Sequence, residues 1–153
     1  MKMVIGVISD THGLLRPEAA TALRGVDHLL HAGDVGNAEI LDQLREIAPL
    51  TAVRGNIDRS GPCAQLPAIE IVELGGHSIY LLHDRNELDL DPGAAGISVV
   101  VSGHSHQPSI ERLRDVTYFN PGSAGPRRFS LPISLGFLDI ADGKIKPRLL
   151  TIG

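Results

Sequence analysis

The first third of the chain alternates short apolar runs with segments of helical periodicity, and this alternation limits the possible folds more than any other feature. The apolar runs are rich in β-branched residues, which suits buried strands. The predicted strands cover residues 4–8, 28–32 and 50–53, and the predicted helices cover residues 18–23 and 38–48. A strand–helix–strand order implies parallel strands joined by right-handed crossovers. The sequence therefore predicts an α/β fold.

The rest of the chain is predicted to be mostly strand. The predicted strands cover residues 69–74, 78–82, 97–101, 110–113, 117–119, 135–140 and 145–152. Gly75 and Gly76 lie between the first two strands, as in a hairpin turn. A short helix is predicted to begin at Asp91 and Pro92, although nearby glycines weaken it. We expect mostly antiparallel pairing in this half, and a single domain over residues 1–153.

Charge and cysteine content narrow the function classes. The formal net charge of -4 argues against a broad basic surface, so we expect no general binding of nucleic acid or anionic membranes. No apolar run is long enough to span a membrane, and the first apolar run ends in Ser-Asp-Thr-His, as a strand does, rather than in a signal-peptide cleavage site. Cys63 is the single cysteine, which fits a reducing compartment and an expected cytoplasmic location. The sequence carries no signal for an oligomeric state.

Potential metal ligands follow five of the predicted strands. These residues are Asp10 and His12, Asp34, Asn56, His83, and the pair His104 and His106. In open α/β sheets, ligands bind at the carboxyl ends of the strands, so we expect these side chains to meet at one rim. Carboxylate, imidazole and amide oxygen are suitable ligands for divalent transition metals. A central carboxylate such as Asp34 can bridge two ions.

Taken singly, most of these residues have an ordinary structural explanation. An aspartate after a strand is usually a turn residue or a helix cap, and Asn56 after glycine is more often part of a turn. His83 alone would more often be a buried structural histidine. The His-x-His pair of His104 and His106 has few such explanations. It is the combination of five motifs that favours the metal site.

Other polar residues allow two readings each. His31 either orients a ligand or plays a buried structural role, and Asn120 either lies near the site or forms a turn. Asp58 and Asp84 either support a ligand or bond within their own loops. His28 and His77 are expected to be solvated. The arginines that could contact a phosphate, or else be surface residues, are Arg59, Arg85, Arg127 and Arg128.

The five motifs, in this order and each after a strand, resemble the calcineurin-like metallophosphoesterase superfamily. The short length and the run Asn120-Pro121-Gly122-Ser123 resemble its small bacterial and archaeal branch, the YfcE-type phosphodiesterases. The resemblance extends from Ile5 to about Ser123. It implies an α/β fold, a four-layer αββα sandwich of two mixed β-sheets flanked by helices, with the site at one edge.

The resemblance also implies a binuclear metal centre. One ion would be held by Asp10, His12, Asp34 and His106, and the other by Asp34, Asn56, His83 and His104. A water or hydroxide bridging the ions would attack phosphorus in line. The residues expected to take part in catalysis are Asp34, Asn56 and His104. Mn²⁺ is the expected ion, and Fe, Zn, Ni or Co would also suit these ligands.

The expected activity is hydrolysis of a small phosphate ester, with a phosphodiester as the first choice. A phosphomonoesterase on the same site is one alternative. A non-catalytic scaffold, like the retromer subunit that shares this fold, is another. A scaffold would tolerate loss of the ligands, whereas every ligand position here holds a competent residue type.

The sequence departs from the family pattern at two positions. Many relatives carry a histidine after the Gly-Asn motif, where it protonates the leaving group, but this chain has Ile57 there. Many also carry glycine after the middle histidine, where this chain has Asp84. The first departure removes the expected general acid, and the second alters the surroundings of one metal site.

Overall fold

The computed structural model describes residues 1–153 and contains ten strands and three helices. The strands are β1 (Lys2–Ile8), β2 (His28–His31), β3 (Leu50–Ala52), β4 (Ile69–Leu74), β5 (His77–Leu82), β6 (Ile97–Val101), β7 (Ser109–Leu113), β8 (Val116–Asn120), β9 (Ser134–Ala141) and β10 (Lys144–Thr151). The helices are α1 (Pro17–Ala22), α2 (Ala38–Ile47) and α3 (Gly61–Ala64). The predicted strands, and the first two predicted helices, are all present with small shifts at their ends.

The strands form two five-stranded sheets. The first sheet has the order β10-β9-β1-β2-β3, and β1, β2 and β3 are parallel as predicted. The second sheet has the order β4-β5-β6-β8-β7. Its hairpins are antiparallel, but β5 pairs with β6, and β6 with β8, in parallel. The prediction of mostly antiparallel pairing was therefore wrong for these strands, because the segment between β5 and β6 is long enough to cross over the sheet.

The two sheets pack face to face around a shared core. Apolar side chains from both sheets meet between them, including Ile5, Val7, Leu81, Val101 and Phe119. The amphipathic α2 packs with α1 on the outer face of the first sheet. The predicted α/β sandwich of two mixed sheets is thus confirmed. The layer outside the second sheet is slight: a 3-10 turn at Arg85–Glu87 and the turns that follow it.

The predicted helix after Asp91 does not form. The Asp91 side chain accepts hydrogen bonds from the backbone N–H groups of Gly93 and Ala94, as a helix cap would, but the chain stays in turns up to Gly96. Gly96 has a φ of 76°, which ends the segment before a helix can extend. The short helix α3, which was not predicted, spans four residues and directs Cys63 into the core. None of the helices is long and apolar enough to cross a membrane.

Two histidines that were expected to be solvated are held by hydrogen bonds instead. His28 Nε2 lies 2.8 Å from Thr51 Oγ1. His77 lies 2.8 Å from Ser98 Oγ through Nδ1 and 2.9 Å from the carbonyl oxygen of Gly143 through Nε2. These contacts tie neighbouring strands and turns together at the edge of the sheets opposite the strand ends that carry the candidate ligands.

His31, at the end of β2, joins the loops that follow β1 and β2. The backbone N–H of Gly33 donates to His31 Nδ1 at 3.0 Å, and His31 Nε2 lies 3.0 Å from Thr11 Oγ1. The Thr11 hydroxyl gives its only proton to the carbonyl oxygen of Val35. Nε2 must therefore carry the ring proton and donate it to Thr11, which fixes one neutral tautomer. Complete burial lowers the pKa of His31 to about 4.

This buried neutral histidine predicts a loss of stability at acid pH in the metal-free protein. The unfolded chain takes up a proton near the ordinary pKa of 6.5, whereas the folded chain resists protonation until about 4. Stability from His31 is therefore complete above 6.5 and falls as the pH is lowered toward 4, by about 3 kcal/mol in total. Denaturant unfolding in chelator across this range should show a steeper fall for the parent than for His31→Gln. Parallel pH profiles for the two proteins would contradict it.

Candidate metal centre

The loops after β1, β2, β3, β5 and β6 meet at one edge of the two packed sheets. They bring six of the seven predicted ligands into contact: Asp10, His12, Asp34, His83, His104 and His106. Two groups of these side chains have ligand atoms close enough to share one ion: Asp10 with His12 and His106, and Asp10 with Asp34 and His83. The predicted convergence of the strand ends is therefore observed.

Asp10 uses its two carboxylate oxygens in different ways. Oδ2 accepts hydrogen bonds from the Ser9 hydroxyl at 2.7 Å and from the backbone N–H of His104 at 3.1 Å. Oδ1 is buried and has no hydrogen-bond partner. It lies 3.3 Å from His106 Nε2 and 3.6 Å from His12 Nε2. One oxygen is thus held by the protein, and the other faces imidazole nitrogens.

Asp34 shows the same division. Oδ1 accepts from the backbone N–H of Ile57 at 3.0 Å. Oδ2 lies between two histidines, 3.4 Å from His12 Nε2 and 3.2 Å from His83 Nε2. The free oxygen of Asp34 therefore reaches members of both predicted ligand sets, as a bridging carboxylate must.

His83 is fixed in the tautomer that a metal ligand needs. Its Nδ1 lies 2.7 Å from the carbonyl oxygen of Ala32, which can only accept, so Nδ1 carries the ring proton. Nε2 is then the nitrogen that faces Asp34 and the centre, the usual arrangement for a ligating histidine. His104 Nδ1 lies 3.3 Å from this nitrogen. The two rings meet edge to face.

The ligand candidates hold unusual backbone conformations. Non-glycine residues with positive φ include Asp10 (55°), His12 (46°), Asp34 (57°), His104 (70°) and His106 (62°). Most L-residues avoid this region, and strain of this kind concentrates at functional sites. Glycines make room beside them: a Cβ on Gly55 would lie 2.1 Å from Asp34 Oδ1, and a Cβ on Gly103 would lie 2.0 Å from Ser9 Oγ.

The surrounding charges keep both carboxylates ionised. Burial raises the pKa of Asp10, but the neighbouring histidines and Ser9 outweigh it, so the pKa falls below its ordinary value. Asp34 follows the same rule, with its pKa lowered by His83 and by the backbone N–H of Ile57 against the effect of burial. For His83 the effects are reversed. Burial lowers its pKa, but Asp34 and Asp10 raise it by more, so the pKa lies above its ordinary value. The centre is thus a buried pair of anions balanced only by imidazoles.

Asn56 is the predicted ligand that stands apart. It is exposed, its side chain makes no hydrogen bond with the other six residues, and it lines a recess together with His83 and His104. Asp84 lines the same recess, with Oδ2 3.9 Å from His104 Nε2 and Oδ1 accepting from the backbone N–H of Asn86.

Several supporting residues could not be assigned from the sequence. The Asp58 carboxylate accepts hydrogen bonds from the backbone N–H groups of Val35, Gly36 and Gly55, so it holds the loops that carry Asp34 and Asn56. The Asn120 amide donates to the carbonyl oxygen of Gly103 and to Ser105 Oγ, while its oxygen accepts from the N–H of Gly122. Both readings of Asn120 are therefore correct: it forms a turn, and it supports the His104 loop.

The geometry fits divalent cations. Asp10 Oδ1 and His12 Nε2 are buried without hydrogen-bond partners, a costly arrangement that a bound cation would relieve. The donors are carboxylate oxygens and imidazole nitrogens, which suit divalent transition metals.

Recesses adjoin the centre beside different ligand candidates. One, of about 270 Å³, is lined by Asn56, His83 and His104 together with Ile69 and Leu82. The other, of about 320 Å³, is lined by His12, His106, Pro126, Arg127, Arg128 and Phe129. A ligand bound at the centre therefore has room for a substituent in either recess.

Comparison with known proteins gives the same family as the motifs. The family model of the calcineurin-like phosphoesterase superfamily domain matches residues 3–143. A probable metallophosphoesterase of Methanocaldococcus jannaschii is 38% identical, over 98% of this chain and 82% of that protein. The phosphodiesterase YfcE of Escherichia coli K12 is 30% identical, over 86% of this chain and 84% of that protein.

The fold is also shared with a protein named for a different role. The structure of vacuolar protein sorting 29 from Cryptosporidium parvum superposes with a TM-score of 0.77 and 20% identity, over 99% of this chain and 98% of that one. At this identity the likeness shows the fold alone. The family match and the two sequence relatives show the family as well as the fold: this chain belongs to the calcineurin-like phosphoesterase superfamily.

Proposed function

We propose that this protein is a binuclear metal-dependent phosphodiesterase that acts on small phosphodiesters. The observation that carries the proposal is the pair of buried carboxylates, Asp10 and Asp34, each with one oxygen bound by the protein and the other facing imidazole nitrogens. The name of its relative, the phosphodiesterase YfcE, supports the same activity.

The ligands divide into two sets that share Asp34. One ion would be held by Asp10, His12, Asp34 and His106, and the other by Asp34, Asn56, His83 and His104. Mn²⁺ is the proposed ion, because a mixture of carboxylate and imidazole ligands suits it. We place the protein in the cytoplasm, which agrees with a buried, unpaired Cys63.

The residues of the chain bind and orient the substrate. Divalent cations in such a centre supply charge stabilisation to the phosphoryl oxygens and activate water as the nucleophile. Asp34 is held rigidly by the N–H of Ile57, so its free oxygen keeps its position. The side chains of His104 and Asn56 are the exposed members of the ligand group and line the recess where an ester group would lie. They are the proposed contacts to substrate.

The two recesses favour a diester over a monoester. A phosphodiester carries two ester groups, and the centre has one recess on the Asn56 side and another on the His12 side. A phosphomonoester would fill only one of them. The phosphomonoesterase alternative therefore ranks second.

The scaffold alternative draws on the shared fold with the vacuolar sorting protein. A scaffold needs an apolar surface, and Ile69 and Ile71 on β4 are about half exposed. It gains nothing, however, from buried polar atoms without partners such as those of Asp10 and His12. Diester turnover by the metal-loaded protein separates the two roles.

The first prediction concerns metal content. Protein purified in chelator and then loaded with Mn²⁺ should hold about two ions per chain, because the shared Asp34 joins two sets of ligands. Elemental analysis after desalting measures the ratio, and bis-p-nitrophenyl phosphate measures the chelator-sensitive activity. Protein that stays free of metal and inactive would contradict the proposal.

The second prediction concerns the bridging carboxylate. Asp34→Asn keeps the hydrogen bond from Ile57 but removes the negative charge, so diester turnover should fall by roughly 100-fold or more, the upper range seen even for groups that only support ligands. Asp42→Asn makes the same change on the exposed face of α2, where the side chain is 77% exposed, and should have no effect. Equal, mild effects of the two substitutions would show that Asp34 does not bridge the ions.

The third prediction concerns the missing general acid. The position after Asn56 holds Ile57, an apolar and 42% exposed side chain that cannot donate a proton. General acids typically contribute about 10²–10⁴-fold when the leaving group needs a proton. Turnover should therefore fall steeply across a series of aryl phosphodiesters as the leaving-group pKa rises.

The control for this series is Ile57→His, which should selectively speed the esters with poor leaving groups. A flat dependence in the parent, with the chemical step shown to be rate-limiting, would mean that another group supplies the proton. In that case Ile57→His should gain nothing.

A further inference from the structure

One arginine beside the candidate centre has no partner in the protein. The other three considered for phosphate contact are engaged: Arg59 donates to the carbonyl oxygen of Asn56, Arg85 pairs with Glu111, and Arg127 donates to the carbonyl oxygen of Leu131. Arg128 is exposed, and its side chain forms neither a hydrogen bond nor an ion pair. Its guanidinium keeps all its donors available for a ligand.

The loop that carries Arg128 is fixed at its base to the ligand loop after β1. Ser123 Oγ donates to the carbonyl oxygen of Asp10 at 3.0 Å, and the N–H of Ala124 donates to the carbonyl oxygen of Ser9 at 3.1 Å. Gly125 packs so closely that a Cβ there would lie 2.2 Å from the carbonyl oxygen of Thr11. The base of the loop, three residues before Arg128, is therefore fixed relative to Asp10 and the centre.

The tip of this loop has a strained backbone and an exposed aromatic side chain. The N–H of Leu131 donates to the carbonyl oxygen of Arg128, which closes a tight turn around Phe129. Phe129 has a φ of 53° and is 90% exposed. A bulky residue with positive φ is strained, and an exposed aromatic ring contributes little to stability. Such a turn points to a role in binding.

The charges of the two recesses are opposite. The recess at Arg128 contains two guanidinium groups and no carboxylate, while the recess on the Asn56 side is lined by Asp84 and Glu87. The one arginine of the recess on the Asn56 side, Arg54, donates to the carbonyl oxygen of Leu66. A second anionic group on a substrate would be repelled on that side and attracted at Arg128.

We propose that Arg128 is a specificity-determining residue that binds a further phosphate carried by one ester group of the substrate. The substrate class is then a phosphodiester with a second phosphate on one side, and a neutral leaving group on the other. This inference rests on the proposed phosphodiesterase function and narrows its substrate.

Two synthetic esters with the same leaving group test the proposal on the metal-loaded protein. Both are p-nitrophenyl esters at the 5′-phosphate, one of thymidine 5′-phosphate and one of thymidine 3′,5′-bisphosphate, so they differ only by the remote phosphate. The parent should cleave the bisphosphate ester with a kcat/KM roughly 10-fold higher or more, the gain expected of a charge-assisted hydrogen bond. In Arg128→Gln this ratio should fall to about one.

Two further variants separate charge from geometry. Arg128→Lys keeps the charge but loses the paired donors, so its ratio should lie between those of the parent and Arg128→Gln. Arg24→Gln makes the same charge change at an exposed residue just after α1, beside α2. This control variant should keep the parental ratio.

The outcomes distinguish this inference from the function on which it rests. A parental ratio near one, or a ratio that Arg128→Gln leaves unchanged, overturns the role of Arg128 while the phosphodiesterase function stands. Failure of the metal-loaded parent to release p-nitrophenol from either ester overturns both.

Discussion

Everything at this site depends on two buried carboxylates, each of which has one oxygen satisfied by the protein. Burying an ionised carboxylate is costly unless hydrogen bonds and opposite charges compensate. Hydrogen bonds from Ser9 and from the N–H of His104 reach only Oδ2 of Asp10. The hydrogen bond from the N–H of Ile57 reaches only Oδ1 of Asp34. The remaining oxygens face imidazole nitrogens, and a cation is the group that would complete both environments.

The same contacts also join the two sheets at this edge. The N–H of His104, after β6, donates to Asp10, after β1. His83, after β5, donates its Nδ1 proton to the carbonyl oxygen of Ala32, after β2. Ligands from the second sheet are thus anchored on groups from the first. A displacement between the sheets would break these hydrogen bonds and separate the ligands, so packing of the shared core and geometry of the centre are coupled.

The sequence predicted the elements well, and it predicted the convergence of the candidate ligands, because both depend on local signals. Apolar runs marked the strands, and Asp10, His12, His104 and His106 stand directly after two of them. The parallel pairing of β5 with β6 was not predictable in this way, because it depends on how a turn-rich connection crosses the sheet.

The roles of the supporting residues could not be predicted from the sequence for a related reason. The role of Asp58 depends on the N–H groups of Val35 and Gly36, more than twenty residues away along the chain. The tautomer of His31 depends on the direction in which Thr11 donates its proton. Neither relation leaves a pattern in the spacing of residues. By contrast, Arg128 was visible as a candidate, but only its lack of partners in the fold separates it from Arg59, Arg85 and Arg127.

The backbone of the centre bears on whether the centre binds metal. Five of the ligand candidates hold positive φ angles, at roughly 1 kcal/mol each, so their combined cost approaches the lower end of a domain's net stability of about 5–15 kcal/mol. Glycine would adopt the same turns without this strain. Glycine at Asp10 or Asp34 would relieve this strain, but it would also remove the hydrogen bonds that these carboxylates accept from Ser9, His104 and Ile57. The free oxygen of Asp10 and Nε2 of His12, by contrast, gain no hydrogen bond in the protein from these strained positions, so their placement argues that the centre binds metal.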